Sequence, residues 1–172
     1  MTAVALRRWQ PDDLWVLEAA NTPEMTDHLG GPETDEKVRD RHRRYLAGWV
    51  ESTSQMYTIQ LVDEAATAGV IGFWPRSWLG EDVYEAGWGV LPEFQGRGVA
   101  VAALRALIDE VRAAAATAGG GGSRHSLHAY PSVDHPASNA ICRRGGLNLV
   151  GECDFEYPPG QRMRCNDWQL PL

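Results

Sequence analysis

The residues from Val83 to Ala118, VYEAGWGVLPEFQGRGVAVAALRALIDEVRAAAATA, constrain this chain more than any other stretch. Val83 to Val90 is rich in β-branched and aromatic residues and reads as a strand, which Pro92 stops because proline cannot donate to a ladder. Further on, Val101, Leu104, Ile108 and Val111 recur at helical spacing, so an amphipathic helix follows. Between them lies Gln95-Gly96-Arg97-Gly98-Val99-Ala100. Glycines at a strand-to-helix turn let the backbone approach a ligand, and the free amides of a helix start carry the positive end of its dipole. Such a turn suits a phosphate or diphosphate, although a glycine pair can also serve only to aim the helix. The dinucleotide fingerprint G-x-G-x-x-G fails at Val101, and no lysine follows to make a P-loop.

The pattern that does fit is Q/R-x-x-G-x-G/A, filled by Gln95, Gly98 and Ala100 after a strand reading E-x-G-W-x-V-x-P. This segment resembles the acyl-CoA signature of the GNAT N-acetyltransferase superfamily, and looks closest to its RimJ/RimL-like branch. A second stretch, His135 to Leu147, resembles that family's N-x-x-S-x-x-x-Y/C-x-x-x-G-F motif, in which a short helix packs beside the pantetheine arm. It departs at His135, where asparagine is usual, at Cys142, where tyrosine is commonest, and at Leu147, where phenylalanine is usual. The resemblance implies a mixed α/β GNAT-like fold with a splayed central sheet, and acetyl-CoA as the donor.

A length of 172 residues suits one domain, 1–172, with a sizeable core. The net charge of −7 argues against a general nucleic-acid or anionic-membrane binder and is compatible with a cationic amine substrate. Three cysteines without C-x-x-C spacing read as reduced thiols of a cytoplasmic protein, with neither a disulfide framework nor a metal site. The N-terminal apolar run is too short for a signal-peptide core, and no window approaches a membrane span.

Val4 to Trp9 reads as a first strand, and Gln10 to Asp13 starts a helix with Pro11 in its first turn. Helices over Glu24–Leu29 and from Pro32 onward follow, the latter turning Val38, Tyr45, Leu46 and Trp49 inward. Met56–Val62 and Gly69–Trp74 read as strands, with Pro75 to Asp82 as the connection to the signature strand. The glycine run at 119–122 reads as a flexible helix exit. Ser126–Tyr130 is a strand, Pro136–Arg144 a helix, and Leu147–Glu156 with Met163–Leu170 a closing pair. The order β-α-α-α-β-β-β-α-β-α-β-β also matches the GNAT order.

Acetyl transfer to an amine needs a bound donor, a deprotonated amine, a polarised carbonyl and a proton for the departing thiolate. The resemblance places the diphosphate on the amides of Gln95, Gly96, Arg97, Gly98, Val99 and Ala100, and the thioester oxygen near the amide of Val90. Strand alternation puts Glu85 beside Gly87 and Gly89 on one face, with Tyr84, Ala86, Trp88 and Val90 on the other. Glu85 is the candidate base; its alternative is a surface carboxylate or an ammonium anchor. Cys142 is a candidate acid, or else a small apolar filler. His135 is the second candidate acid, and its neutral imidazole could hydrogen-bond the pantetheine amide; its alternative is a loop histidine facing water. Ser138 and Asn139 head a helix, where capping comes first and cofactor contact second. Trp74 and Trp78 flank Arg76 near the acceptor's entrance, and Arg76 is the one cation that would suit a larger donor such as succinyl-CoA.

The expected activity is acetyl-CoA-dependent N-acetylation of a small amine or amino compound within a ternary complex. Alternatives are a protein N-terminus as acceptor, as in RimJ/RimL-like relatives, or a non-catalytic acyl-CoA sensor; a homodimer stays open.

Overall fold

The computed structural model describes residues 2–117 and 124–172, so the glycine run at 119–122 lies outside the described residues. The strands are β1 (Val4–Arg8), β2 (Gln55–Leu61), β3 (Ala66–Trp78), β4 (Glu81–Val90), β5 (Ser126–Ala129), β6 (Asn148–Glu156) and β7 (Arg162–Pro171). The helices are α1 (Leu14–Ala20), α2 (Pro23–Thr26), α3 (Asp35–Glu51), α4 (Val99–Thr117) and α5 (Pro136–Gly145), joined by short 3-10 turns. The order of strands and helices agrees with the sequence reading.

One sheet runs β1-β2-β3-β4-β5-β7-β6. Every neighbouring pair is antiparallel except β4 and β5, which pair in parallel over only Tyr84↔Leu127 and Glu85↔His128. Beyond that short ladder β5 stops at Ala129 and Pro131 follows, which has no N–H to extend it. Among the described residues, no strand pairs with Ala86 to Val90 on the β5 side. The sheet therefore opens between β4 and the chain after β5.

Two cores flank this sheet. On one face α4 buries Val99, Ala103, Leu104, Leu107, Ile108 and Val111, the stripe that helical periodicity demands, against Ile71, Phe73, Tyr84 and Leu127. There α5 docks on α4 through Gly145, where a Cβ would come within 2.5 Å of the Leu104 side chain. On the other face α1 and α3 cover Trp9, Val16, Leu17, Val38, Met56 and Val70. Among the described residues no helix is long and apolar enough to cross a membrane.

One connection differs from the sequence reading. Pro75 to Asp82 is not a loop: β3 continues to Trp78, turns at Leu79-Gly80, and returns as β4 from Glu81. Leu79 and Gly80 both have positive φ, 51° and 84°, the mirror-image turn that matches the twist of a two-stranded ribbon. Proline is tolerated because β2 pairs with β3 only as far as Phe73. Pro75 turns its nitrogen to that vacant side and forfeits no ladder bond.

Candidate active site

The longer β3 decides the composition of the site. Alternation along it turns Trp74, Arg76 and Trp78 to the face that carries Glu85, Gly87 and Gly89 on β4. The same face receives Ser126 and His128 from β5, Tyr130 just beyond it, and Asp167 from β7. A cleft of about 750 Å³ opens here, floored by Glu85 to Gly89 and walled by α1, α3 and the segment from Ala129 to Ser132. A Cβ at Gly87 would lie 2.8 Å from the Trp74 ring, so glycine lets that indole lie across the strand.

Glu85 is 8 % exposed, and its Oε2 accepts from Arg76 Nη1 at 2.7 Å and Trp74 Nε1 at 3.1 Å. Burial pushes the carboxyl above its ordinary range; Arg76, Trp74 and His128 pull the other way without cancelling it. Arg76 is itself boxed by aromatic rings, 4.4 Å over Phe155 and 5.4 Å from both Trp78 and Tyr130. Its Nη1 is committed to Glu85 and its plane to the rings, while its Nε is buried without a hydrogen-bond partner, so the cation expected to suit a larger acyl donor is already half of an ion pair. Behind it, His128 Nδ1 lies 2.6 Å from Asp167 Oδ1, His128 Nε2 lies 3.1 Å from Ser126 Oγ, and Trp78 Nε1 donates to Asp167 Oδ2 at 3.1 Å. Ser126, His128 and Asp167 are all buried and form a bracing network beneath the aromatic box. The sequence reading does not include this network or Tyr130. The available signal was the alternation Ser126, His128, Tyr130 along one strand face.

The backbone near Val90 follows from strand register. Leu91 donates to Ala68 at 2.8 Å, which makes Val90↔Gly69 a pair without ladder bonds and turns the N–H and C=O of Val90 toward the gap. The carbonyl is taken by Gln95 Nε2 at 2.8 Å, so the Gln95 side chain ties the turn to the strand end. The Gln95 amide donates to Pro92, and that residue thereby leaves the set of expected free amides. The amides from Gly96 to Ala100 make no well-formed hydrogen bond to the protein among the described residues. Gly96 and Gly98 have φ of +71° and +79°, and a Cβ at either would meet nothing within 4 Å. Arg97 pairs with Glu64.

The second motif is rearranged relative to expectation. Cys142 is fully buried in the apolar core against α4, and burial pushes its thiol up to about 12. It does not line the cleft, and a thiol held that high is a poor proton donor to a thiolate near ~8.5, so the candidate acid is an apolar filler. Asn139 neither caps its helix nor has hydrogen-bonding capacity left. Its Nδ2 donates to the carbonyls of Ser132 and His135, and its Oδ1 accepts from Asn166 and Trp168, all at 2.8–2.9 Å. That corrects its expected contact with a cofactor. Ser138 lines the cleft and makes no cap. His135 also lines it, stacked 4.2 Å from His28; burial and then His28 lower its pKa. Among the described residues no group of three or more His, Cys, Asp or Glu is placed to hold a metal ion.

The family described as the Acetyltransferase (GNAT) domain matches residues 4–148. No curated protein sequence matches the chain. A structure of RimL, a ribosomal-protein α-N-acetyltransferase in complex with coenzyme A, superposes with a TM-score of 0.76 at 20% identity, covering 100% of this chain and 96% of that one. An aminoglycoside acetyltransferase in complex with coenzyme A gives 0.74 at 15% identity over 98% and 95% of the two chains. A spermidine N-acetyltransferase from Vibrio cholerae, bound to CoA and spermine, gives 0.73 at 13% identity over 98% and 95%. At such identities the likeness concerns the fold.

Proposed function

The chain belongs to the GNAT acetyltransferase family, and from that premise we propose that it acetylates a small amine or amino compound from acetyl-CoA, with Glu85 as base. The observation that carries the reading is the pairing of an open, amide-lined turn at Gly96–Ala100 with a sheet gap floored by a buried carboxylate.

The turn fits a diphosphate. Its amides are unspent, its glycines add no side chain, and the start of α4 contributes its dipole. The gap beside Val90 leaves room for the pantetheine arm, and the Val90 N–H faces the place where a thioester oxygen would lie. When bound, acetyl-CoA supplies an acetyl thioester, the new C–N bond replacing the C–S bond and the thiolate leaving as CoA. The work of the protein is to hold the parts and move protons. An acceptor ammonium entering the cleft loses a proton to Glu85, whose raised affinity brings it closer to that of an amine. Trp74 and Arg76 fix the carboxylate through Oε2, and Oε1 is left for the acceptor. Cys142 lies outside the cleft, so the second proton, which the nitrogen sheds as the amide forms, passes to the departing thiolate directly or through water.

The test is thiol release from acetyl-CoA against a panel of amines. Glu85→Gln should lower kcat by about 100-fold or more, whereas Cys142→Ala should retain the wild-type pH profile. Full activity of Glu85→Gln across pH would remove Glu85 from the role of base.

A further inference from the structure

Arg76 holds Glu85, and little that is polar holds Arg76. Among the described residues its one hydrogen bond goes to Glu85 itself, and its Nε is buried without a partner. The place of the guanidinium is therefore set by the three rings around it, Trp78, Tyr130 and Phe155.

Two of those rings trace to a single side chain on β7. Trp78 donates from Nε1 to Asp167 Oδ2 at 3.1 Å. The Tyr130 hydroxyl bonds nothing in the protein, so packing alone fixes its ring, with centroids 4.9 Å from Phe155 and 5.7 Å from His128. His128 is held in turn by Asp167, whose Oδ1 lies 2.6 Å from Nδ1. Asp167 is 5 % exposed and gives one oxygen to each of these rings. It sits on an interior strand, with β5 on one side and β6 on the other, which leaves the carboxylate little freedom to shift.

We propose that Asp167 is a positioning residue for acetyl transfer: it fixes Trp78 and, through His128, Tyr130, and these walls keep Arg76 on Glu85. The inference rests on the reading of Glu85 as base. Other groups face Glu85 too: His128 from β5, Tyr130 beyond it, Cys165 from β7, and Arg41, Arg44 and Glu33 on the α3 side of the cleft. Three routes thus lead from Asp167 to Glu85, namely its own charge, the charge of His128 and the aim of Arg76. They differ in sign or in their need for Arg76. Loss of a nearby negative charge would by itself ease ionisation of Glu85, whereas a loosened Arg76 would hinder it.

The experiment reads Glu85 directly, as the carboxyl NMR resonance of isotope-labelled glutamate that vanishes in Glu85→Gln. The pH profile of kcat/KM is measured in parallel for the fastest amine of the panel. Asp167→Asn leaves only one acceptor oxygen for two ring N–H groups. It should raise both the Glu85 midpoint and the acid limb by about half a pH unit or more. The kcat should fall by roughly tenfold, and KM for acetyl-CoA should be unchanged. In an Arg76→Met background the same substitution should add no further shift. Trp78→Phe removes the N–H while Asp167 keeps His128, so it should raise the midpoint by less, and it decides the matter if Asp167→Asn does not fold. A midpoint that stays or falls in these variants overturns the inference, as does a rise that persists in Arg76→Met. A midpoint that rises while the acid limb stays put supports the hold of Asp167 on Arg76 and overturns Glu85 as base.

Discussion

Arg76 donates from Nη1 to Glu85 Oε2 at 2.7 Å, so the carboxylate that floors the cleft is also half of an ion pair. The pair sets a compromise. Burial drives Glu85 toward its neutral form, and Arg76 is the largest influence holding it charged, ahead of Trp74 on the same strand and His128 on β5. A base needs both: enough proton affinity to accept from an ammonium, yet enough of the charged form at neutral pH to act.

The sign of the Arg76→Met effect follows from this. Activity should fall as pH drops through the raised Glu85 value, because the protonated carboxyl is no base. Removing the guanidinium leaves burial less opposed, so the acid limb of kcat/KM should move upward by about one pH unit or more. A limb that stays in place, or shifts down, would separate Arg76 from the tuning of Glu85.

The turn at Gly98 allows the diphosphate proposal to be tested apart from the chemistry. With φ at +79° and open space where a Cβ would stand, Gly98→Ala meets only a backbone cost of about 1–2 kcal/mol. Its methyl would project over amides expected to hold the diphosphate. KM for acetyl-CoA should rise by roughly tenfold or more, on the scale of a lost hydrogen bond to a charged group. Acetylpantetheine, which lacks the diphosphate, should show little change. Equal effects on the two donors would place the diphosphate elsewhere.

Asn139 provides a stability test. Asn139→Ala orphans the donors of Trp168 and Asn166 and takes one of two donors from each of the carbonyls of Ser132 and His135. The cost should be about 2–4 kcal/mol, seen as a Tm lower by roughly 5–15 °C. KM for acetyl-CoA, measured well below the new Tm, should be nearly unchanged. A large rise in KM with little loss of Tm would return Asn139 to the cofactor site.

Relations between near neighbours along the chain were readable in advance. The strand ending before Pro92, the glycine turn, the amphipathic helix and the face carrying Glu85 all follow from periodicities of two and 3.6 and from the backbone habits of glycine and proline. Those are properties of neighbouring residues, and they were legible without partners. Everything else waited on how the strands assembled. Pro75 sits inside β3 because β2 ends its pairing at Phe73 and leaves a vacant edge, which no window of sequence can register. Cys142 is core because α5 presses on α4 at Gly145 and Leu104, and Asn139 is a saturated tie because Trp168 and Asn166 arrive on β7. Arg76, Tyr130, His128 and Asp167 surround Glu85 only because β5 inserts between β4 and β7, gathering residues up to 91 positions apart. Such contacts depend on which strands become neighbours, a choice made by closure of the whole sheet.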